Sequence, residues 1–471
     1  MNENTTFEEG MIDIDLAEDK TILDRELSRR SALKLTAASA AVIGASTLFP
    51  TSVFAGSSSY STAKNWTTGA LKYDRSKCKM CGDCVDACED QGIRAIVKDK
   101  KKDMIVMNAS KCIGCGQCTL ECDKKALVEA DHLTAVKNAI SAGKTIVWQF
   151  APTTQHSVGD FFDLDEGYNV SLKLPTAVKK LSSKSIAYRT DCAADLTIME
   201  EATELVERIT NKGTLPLITS CCPGWINYAE SRHPELLNTN ISSCKSPMEM
   251  LAALIKRKHP GCFHVAVMPC TAKKIEAKRS NMSGNVDASL TVREFASLLK
   301  SKSISLKSVS NGAYDTLFDD YTGAARLFGC SGGVMEAALR TAYYMITGKN
   351  MTNLTLTALR SYKTGIKTAS INMGGKTYNV AVVNGIKNIE TVLRNKSNYA
   401  MIEVMACPAG CAGGGGNKDE DDRDDRVKAM QSVDAKSTQR YSYQNKDVIE
   451  IYKELGKPGS DLAKSLLHVK Y

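Results

Sequence analysis

Three separated cysteine segments hold the residues of this chain that are most able to do chemistry. They are an adjacent pair in TSCCPGW (219–225), a single cysteine in MPCTAKKIE (268–276) and a Cys-x3-Cys pair in EVMACPAGCAGGGG (403–416). Thiolates are the preferred ligands of soft metals and of iron–sulfur clusters, so this set can bind one cluster and leave one thiol over. The alternative is a group of buried structural cysteines, since a free cysteine also packs as a small hydrophobic residue. The proline, glycine, lysine and methionine neighbours favour the metal site.

Two regular cysteine runs precede these segments and predict a ferredoxin-like domain. The runs are Cys78-x2-Cys81-x2-Cys84-x3-Cys88 and Cys112-x2-Cys115-x2-Cys118-x3-Cys122. This spacing is typical of bacterial ferredoxins with two [4Fe-4S] clusters, in which the fourth cysteine of each run binds the other cluster. The expected ligand sets are therefore Cys78, Cys81, Cys84 and Cys122 for one cluster, and Cys112, Cys115, Cys118 and Cys88 for the other. A zinc ribbon is disfavoured because each run alone already supplies the four ligands that zinc needs.

The three separated segments together resemble the cluster-binding signature of the iron-only ([FeFe]) hydrogenases. The similarity covers roughly residues 73–471. It implies that Cys222, Cys270, Cys407 and Cys411 bind a [4Fe-4S] cubane. It also implies that Cys411 bridges this cubane to a two-iron subcluster with CO, cyanide and dithiolate ligands, and the two parts together form the H-cluster.

The resemblance also assigns roles to side chains around the diiron group. Lys273 resembles the lysine that contacts cyanide in the family, and Met268 and Met405 resemble the methionines that line the pocket. A surface lysine and ordinary core methionines are the alternatives. Met248 stands where many relatives carry glutamine, and Ala272 where serine is more frequent. These differences affect hydrogen bonding near the diiron group rather than its ligation.

Cys221 lies outside the cubane ligand set and is a candidate proton donor. Its family counterpart passes protons along a row of side chains. In this sequence the row corresponds to Glu201, Ser242, Glu204 and Arg208, with Glu276 nearby. The sequence supports part of the row independently, because residues 195–209 predict an amphipathic helix with the row's two glutamates and its arginine on one face, at the rim of the apolar stripe. The alternative for these charges is an ordinary solvated face.

Apolar strand-like runs alternate with helical stretches between residues 131 and 417. The runs span residues 145–150, 215–219, 263–268 and 399–405, and the three cysteine segments follow their C-terminal ends. Ligands gathered at strand ends are typical of open α/β sheets. We therefore predict a multidomain protein of the α/β and α+β classes. It has a two-[4Fe-4S] ferredoxin-like domain, a catalytic α/β domain with the two lobes that the resemblance implies, and a mostly helical C-terminal wrap.

The N-terminal residues predict an export signal rather than a part of the fold. Residues 28–34 (SRRSALK) resemble a twin-arginine motif, an apolar run follows at 35–49, and residues 53–55 (VFA) suit cleavage after Ala55. The run is short for a hydrocarbon core of ~30 Å, so a retained membrane anchor is the minor alternative. Twin-arginine signals are associated with proteins that fold and acquire cofactors before export. We therefore expect a periplasmic or other extracytoplasmic location, with thiols that are metallated before export.

These motifs divide the chain into five parts. The predicted parts are a twin-arginine signal peptide at 1–55, a linker at 56–72, the ferredoxin domain at 73–130, the catalytic domain at 131–417 and a charged linker with a small-subunit-like tail at 418–471. The charged residues 418–426 predict a solvated segment. Residues 441–471 resemble the small subunit that wraps the catalytic domain in two-chain periplasmic enzymes, here fused to the same chain. His468 in this tail is expected to pack rather than to bind metal.

The combined prediction is a hydrogenase that interconverts H2 with protons and electrons. The redox partner is open among a cytochrome, a membrane quinone module and a ferredoxin-like protein, and cofactor maturation proteins must act before export. The net charge of +8 comes without a basic helix interleaved with aromatic residues, so nucleic-acid binding is not expected. One alternative is an H2-sensing relative with slow turnover, although no signalling domain is visible. Another is an electron-transfer or cluster-assembly protein that lacks the diiron group, which Cys411 and Lys273 argue against.

Overall fold

The computed structural model of the chain describes residues 60–61, 63–282, 284–418 and 423–471. The twin-arginine signal predicted at 1–55 therefore lies outside the described residues. Everything described belongs to one compact unit, Phe54–Tyr471. None of the helices in this described part is long and apolar enough to cross a membrane.

The ferredoxin-like part begins earlier than predicted. Its elements are β1 (Asn65–Thr67), β2 (Leu71–Asp74), α1 (Asp83–Asp90), β3 (Ile96–Asp99), β4 (Met104–Met107), α2 (Gln117–Leu120) and β5 (Leu127–Glu129). β1, β2 and β5 form an antiparallel sheet, and β3 pairs with β4. The linker predicted up to residue 72 is wrong from residue 65 onward, because Trp66 is buried and stacks on Tyr73 with ring centroids 5.2 Å apart. The strand was not predicted because small polar residues surround this tryptophan in the sequence.

The catalytic part follows directly. Its elements in chain order are α3 (Leu133–Ser141), β6 (Ile146–Phe150), α4 (Thr154–Ser157), α5 (Leu174–Leu181), β7 (Ser185–Arg189), α6 (Asp191–Thr210), β8 (Leu217–Ile218), α7 (Pro223–Arg232), α8 (Pro247–Lys258), β9 (Phe263–Met268), α9 (Lys273–Glu276), β10 (Ala288–Thr291), α10 (Val292–Ser301), α11 (Gly323–Leu327), α12 (Gly333–Thr347), α13 (Thr357–Arg360), β11 (Ile366–Met373), β12 (Lys376–Asn384), α14 (Ile389–Leu393) and β13 (Met401–Met405). The strands predicted from the apolar runs are β6, β8, β9 and β13, and their starts agree with the prediction to within two residues.

Two four-stranded sheets organise this part. One has the order β10-β9-β6-β7 and is parallel throughout. The other has the order β11-β12-β13-β8, in which only the edge strand β11 is antiparallel to its neighbour. Every residue of β6 and β13 is buried, as continuous apolar runs in parallel sheets predict. The predicted α/β architecture with two lobes is confirmed, and each sheet belongs to one lobe.

The C-terminal segment is helical, with α15 (Arg423–Lys436), α16 (Lys446–Leu455) and α17 (Asp461–Leu467). The solvated linker predicted at 418–426 is wrong at its end. Arg423 already begins α15, and Arg426 is fully buried with its guanidinium 2.9 Å from a carboxylate oxygen of Asp160. A run of charged residues in the sequence does not show which side chain has a buried partner.

A buried ion network fastens α15 to the catalytic part. Arg340 on α12 contacts Asp434 on α15 at 2.9 Å and Glu336 at 2.5 Å, and all three side chains are fully buried. Arg360 bonds to the same two carboxylates, and Arg440 adds a further bond to Asp434 at 2.6 Å. Removing one member of such a network leaves buried charges without a partner in a medium that solvates them poorly.

We expect Asp434→Asn to lower the free energy of unfolding by about 3–5 kcal/mol, because it leaves buried arginines with too few carboxylates. The control on the same helix is Asp425→Asn, whose pair with Lys428 is exposed and should contribute little to stability because solvent screens it. Chemical denaturation followed by circular dichroism measures both. Equal losses in the two variants would contradict the role given to the network.

The same contribution has a defined pH dependence. Burial alone would raise the pKa of Asp434, but Arg340 and the two other arginines outweigh it and hold the pKa well below its usual range. The stabilisation is therefore fully present above the unfolded pKa of about 4 and is lost only as the pH falls through the lower folded value.

Candidate metal centre

The C-terminal ends of three parallel strands deliver the cysteine segments to one place. Cys221 and Cys222 follow β8, Cys270 follows β9 and Cys407 follows β13. The two sheets thus contribute to a single centre, as the predicted strand ends indicated. Pro223 then starts α7 directly after the cysteine pair, in the first-turn position where proline costs no hydrogen bond.

One largely apolar cavity of about 700 Å³ collects these thiols, part of it continuous with solvent. The five cysteines of the three segments all line it: Cys221, Cys222, Cys270, Cys407 and Cys411. Its other lining groups include Lys273 and the methionines Met248, Met268 and Met405. The structure therefore brings together the five cysteines, the lysine and the three methionines that the sequence analysis placed around the H-cluster.

The donor set fits an iron–sulfur cluster. Burial raises the pKa of Cys270 to about 11, and burial raises those of Cys407 and Cys411 further, with the neighbouring thiolates adding repulsion. Four cysteines in an apolar cavity are unfavourable as free thiolates, because their negative charges repel one another and are poorly solvated. Metal binding replaces their protons and balances their charge. Cys222, Cys270, Cys407 and Cys411 can hold a cubane here.

Lys273 is a buried cation at the wall of this cavity. Its Nζ lies 2.6 Å from Oε2 of Glu276 and donates to the carbonyl oxygen of Cys221 at 3.2 Å. Burial alone would lower the pKa of Lys273, but Glu276 and the thiols of Cys270 and Cys221 outweigh it and raise the pKa. The ammonium is thus fixed beside the thiols, where it can donate to a ligand in the cavity. The alternative of a surface lysine is wrong.

The inner half of the predicted proton row lies next to the unligated thiol. Glu201 is fully buried and accepts a hydrogen bond from the backbone N–H of Ser220 at 3.3 Å. Its carboxyl also interacts with the Ser242 hydroxyl and with the Cys221 thiol. The helix pattern placed this carboxylate at the rim of an apolar stripe, and that placement is wrong. The other glutamate of the row takes the partly exposed position.

The outer half of the row is a set of short hydrogen bonds. Ser242 Oγ donates to Oε2 of Glu204 at 2.9 Å, and Arg208 donates to Oε1 of Glu204 at 2.6 Å. The Glu204 and Arg208 side chains are 15% and 14% exposed, which puts this end of the row at the surface. The structure thus places the four side chains in the predicted order between Cys221 and the surface, with hydrogen bonds joining Ser242, Glu204 and Arg208 and electrostatic interactions relating Glu201 to Ser242 and Cys221. Glu276 lies apart from this row, paired with Lys273.

Burial also sets the protonation of the inner groups. It raises the pKa of Glu201 to about 8, with the Ser220 hydrogen bond opposing the shift and Glu204 adding to it. It raises the pKa of Cys221 well above its ordinary value. Efficient proton carriers have a pKa close to the operating pH, so Glu201 can both take and release a proton near neutrality.

The ferredoxin-like part gathers its eight cysteines into two cavities. One, of about 380 Å³, is lined by Cys78, Cys81, Cys84 and Cys122. The other, of about 290 Å³, is lined by Cys88, Cys112, Cys115 and Cys118. These are the two crossed ligand sets that the spacing predicted.

The second set lies against the catalytic centre. The Cys115 thiol interacts electrostatically with those of Cys270 and Cys407. Gly116 permits this approach, since a Cβ on it would come within 2.4 Å of the Thr271 hydroxyl. The first set lies nearer solvent, because Cys81 is exposed. The two sets therefore run from the surface toward the centre.

Sequence reasoning missed the anchor of the glycine-rich segment. Glu403 on β13 is fully buried and accepts hydrogen bonds from the backbone N–H groups of Gly332 at 2.6 Å and Met335 at 2.7 Å. It holds the start of α12 against the cavity that Gly329 lines. A single charged residue inside an apolar strand was the available signal.

Comparison with known proteins agrees with this site. Residues 144–415 match the family model of the iron only hydrogenase large subunit, C-terminal domain. Residues 70–129 match the 4Fe-4S dicluster domain, and residues 420–471 match the iron hydrogenase small subunit.

Individual relatives show the same pattern. Iron hydrogenase 1 of Clostridium pasteurianum is 38% identical over 85% of this chain and 76% of its own length. The periplasmic [Fe] hydrogenase large subunit of Nitratidesulfovibrio vulgaris is 42% identical over 56% of this chain and 67% of its own. A cytosolic Fe-S cluster assembly factor of Danio rerio is 28% identical over 70% of this chain and 86% of its own.

Among solved structures, an [FeFe]-hydrogenase of Chlamydomonas reinhardtii superposes with a TM-score of 0.64 at 32% identity, covering 73% of this chain and 99% of the other. The fold, the cavity lined by five cysteines and these matches lead to one conclusion: the chain belongs to the iron-only hydrogenase family.

Proposed function

We propose that the protein is an [FeFe]-hydrogenase that interconverts H2 with protons and electrons at an H-cluster. The observation that carries the proposal is the fifth thiol of the cavity, Cys221. Glu201, Ser242, Glu204 and Arg208 lie between it and the surface. A protein that only stores or passes on electrons has no need of a proton row that ends beside its cluster.

The residues that would hold the H-cluster are those of the cavity. Cys222, Cys270, Cys407 and Cys411 supply the thiolates, and Lys273 supplies a buried cation. When bound, the group supplies the metal site at which H2 is formed and split. The apolar wall with its three methionines keeps water away, so that the few polar donors decide how ligands are oriented.

The protein's own part in the reaction is to move protons. Cys221 holds a proton at Sγ because burial disfavours its thiolate. Glu201 can replace that proton from its carboxyl group and be reloaded through Ser242 and Glu204. The hydrogen bond from Arg208 keeps Glu204 in place at the surface end. A positioned group of this kind contributes roughly 10²–10⁴-fold to a rate.

Electrons are proposed to travel through two [4Fe-4S] clusters. The set with the exposed Cys81 is the terminal for a redox partner, and the set with Cys115 faces the catalytic thiols. We propose a cytochrome, a membrane quinone module or a ferredoxin-like protein as the partner. Maturation proteins would insert the diiron group.

A cluster-assembly function is the second candidate, because the family relatives include assembly factors. The arrangement of Lys273, Cys221 and the proton row favours the hydrogenase. Infrared spectroscopy of protein made together with maturation proteins separates the two. Bands of CO and cyanide are expected for the hydrogenase, and their absence from iron-replete protein would favour the assembly function.

Cys411→Ser should remove those infrared bands while the two ferredoxin-type clusters survive, because only Cys411 is assigned to bridge the diiron group. Electron paramagnetic resonance and iron content measure the surviving clusters. The matched control is Cys330→Ser, a buried cysteine outside the ligand set, which should keep the bands. Bands that persist in the Cys411 variant would show that the diiron anchor is misplaced.

Cys221→Ser should keep iron content and infrared bands but lower H2 evolution by roughly 10²-fold or more, since a hydroxyl is a far weaker acid than a thiol. Glu201→Gln should behave in the same way, because the amide cannot carry the proton. If Cys221→Ser loses the cubane while Cys222→Ser keeps it, the two cysteines have exchanged roles.

We also propose export by the twin-arginine route to a periplasmic or other extracytoplasmic location, which rests on the sequence of residues 28–55. Arg29→Lys combined with Arg30→Lys should leave an assembled enzyme in the cytoplasm. Cell fractionation followed by an H2-evolution assay measures this, with Arg25→Lys as the control outside the motif. Export that is unchanged in the double variant would refute the twin-arginine signal.

A further inference from the structure

The last residues of the chain lie directly on the proton row. The backbone N–H of Val469 donates to the carbonyl oxygen of Ser243 at 2.8 Å, and that of Lys245 donates to Leu467 at 2.8 Å. Between these bonds, the backbones of His468 and Cys244 form an antiparallel β-bridge. The small-subunit-like tail therefore contributes a side chain to the strip that carries Ser242.

That side chain is His468, which was expected only to pack. Its Nδ1 lies 2.8 Å from Oγ of Ser243, and its Nε2 lies 2.9 Å from Oε2 of Glu200. Ser243 Oγ in turn donates to Oε2 of Glu204 at 3.3 Å. A continuous set of hydrogen bonds thus joins His468 to Glu204, the surface carboxylate of the proton row.

The partners of Glu200 identify the donor in the hydrogen bond between His468 Nε2 and Glu200 Oε2. Glu200 is buried and already accepts hydrogen bonds from the Tyr452 hydroxyl at 2.7 Å and from the N–H of Gly459 at 3.0 Å. Because Glu200 acts as the acceptor in both of these bonds, we assign Nε2 of His468 as the donor in the third. The proton on Nδ1 is then the variable one. With it His468 is an imidazolium, and without it Nδ1 becomes an acceptor.

The state of Nδ1 sets the direction of the Ser243 hydroxyl. When Nδ1 carries a proton it donates to Ser243 Oγ, and the hydroxyl hydrogen is free to point at Glu204. When Nδ1 has lost the proton, the hydroxyl turns toward it, and Glu204 loses this bond. Glu204 keeps its bonds from Arg208, Ser242, the Ser243 N–H and the Cys244 thiol.

We propose that His468 is a positioning residue that loads Glu204 with protons through Ser243, an inference that rests on the proposed hydrogenase function. In the transfer the Nδ1–H bond breaks and an Oγ–H bond forms, while the original Oγ–H bond of Ser243 breaks and an Oε2–H bond forms on Glu204. The products are neutral His468 and protonated Glu204. The histidine is 9% exposed and regains its proton from solvent.

The charged groups around His468 are held by partners of their own. The titratable groups on the elements packed around it are Glu200, Glu201, Glu204, Glu207, Arg208, Cys244, Lys245, Tyr452, Lys464 and Tyr471. The cations among them have partners of their own: Arg208 pairs with Glu204, Lys464 with Glu207, and Lys245 donates to a backbone carbonyl. Burial raises the pKa values of Cys244, Tyr452 and Tyr471, so these groups are neutral.

A metal ion is a poorer explanation of the same cluster. The ligand atoms of Glu204, Cys244 and His468 lie within 4.8 Å of one another. However, both ring nitrogens of His468 already have hydrogen-bond partners, and Glu204 is neutralised by Arg208. The hydrogen bonds describe a proton path more fully than a coordination site.

The test compares His468→Gln, Ser243→Ala and the double variant in matured holoenzyme, with the exposed Lys470→Ala as control. Each single variant should lower H2 evolution about three- to tenfold, the size expected for one lost hydrogen-bonded contact. The difference in H2 evolution between variant and wild type should vary with pH, because the proposed path moves a proton from the imidazole ring to Glu204. The double variant should be no slower than the slower single variant, since both break one path.

The proposal would be overturned if the losses of activity were additive in the double variant. It would also be overturned if the difference in H2 evolution between variant and wild type did not change with pH. Equal activity of His468→Gln and Lys470→Ala at every pH would also overturn it. Iron content and infrared bands of the diiron group must match the wild type, which excludes a general loss of structure.

A second measurement does not depend on hydrogenase activity. In protein made without maturation proteins, pH-difference infrared spectra contain the carboxyl band of Glu204, identified by its loss in Glu204→Gln. This band should shift its titration in His468→Gln but not in Lys470→Ala. If the band does not move in His468→Gln, the role of His468 is refuted, whether or not the protein is a hydrogenase. If the band moves but the matured protein does not turn over H2, only the hydrogenase function is refuted.

Discussion

The burial of unpaired thiols at one meeting point of two sheets is the constraint on which the rest of the structure depends. An apolar cavity raises the pKa values of Cys222, Cys270, Cys407 and Cys411 above the ordinary thiol range. A folded chain gains nothing from such a set unless metal replaces the protons. The parallel strands that end at these cysteines, and the glycines that allow close backbone approach, are the means by which the fold presents the four ligands together.

The same desolvation separates the fifth thiol from the four ligands. Cys221 is held as a neutral thiol, and the nearest carboxyl, Glu201, is shifted by burial to a pKa of about 8. A cavity that simply excluded water would be closed to protons as well. In the proposed function, the row from Glu201 through Ser242 to Glu204 solves this problem, because protons can pass along it without admitting bulk water. The C-terminal tail covers the outer part of that row, and its attachment by buried ion pairs keeps the cover in register.

The cysteine spacing and the apolar runs were sufficient to predict the two crossed ligand sets and the strand ends, and the resemblance to the family added the lysine and methionines that line the cavity. Those features are local, since ligand identity and strand position are written in short stretches of sequence. Residues whose role depends on a distant partner were not predictable. Arg426 looked solvated until Asp160 was placed beside it, and His468 looked like packing until Glu200 and Ser243 flanked it. Helical periodicity likewise gave the face on which Glu201 lies, but not its depth, which is set by the strands and helices packed over that face.

One short turn after β9 brings the two kinds of transport together. Cys270 is a candidate cluster ligand, and the next residue, Thr271, donates its hydroxyl to the carbonyl of Gly114 in the ferredoxin-like part at 2.5 Å. Lys273, three positions after the cysteine, bonds to the carbonyl of Cys221 on the proton side. In the proposed function, a displacement of this turn would therefore disturb electron delivery and proton delivery at once. The interior around it is closely packed, and a close-packed interior resists small shifts. The absence of side-chain atoms at Gly116 and the ion pair between Lys273 and Glu276 then act together, since one lets the two parts touch and the other fixes the turn where they meet.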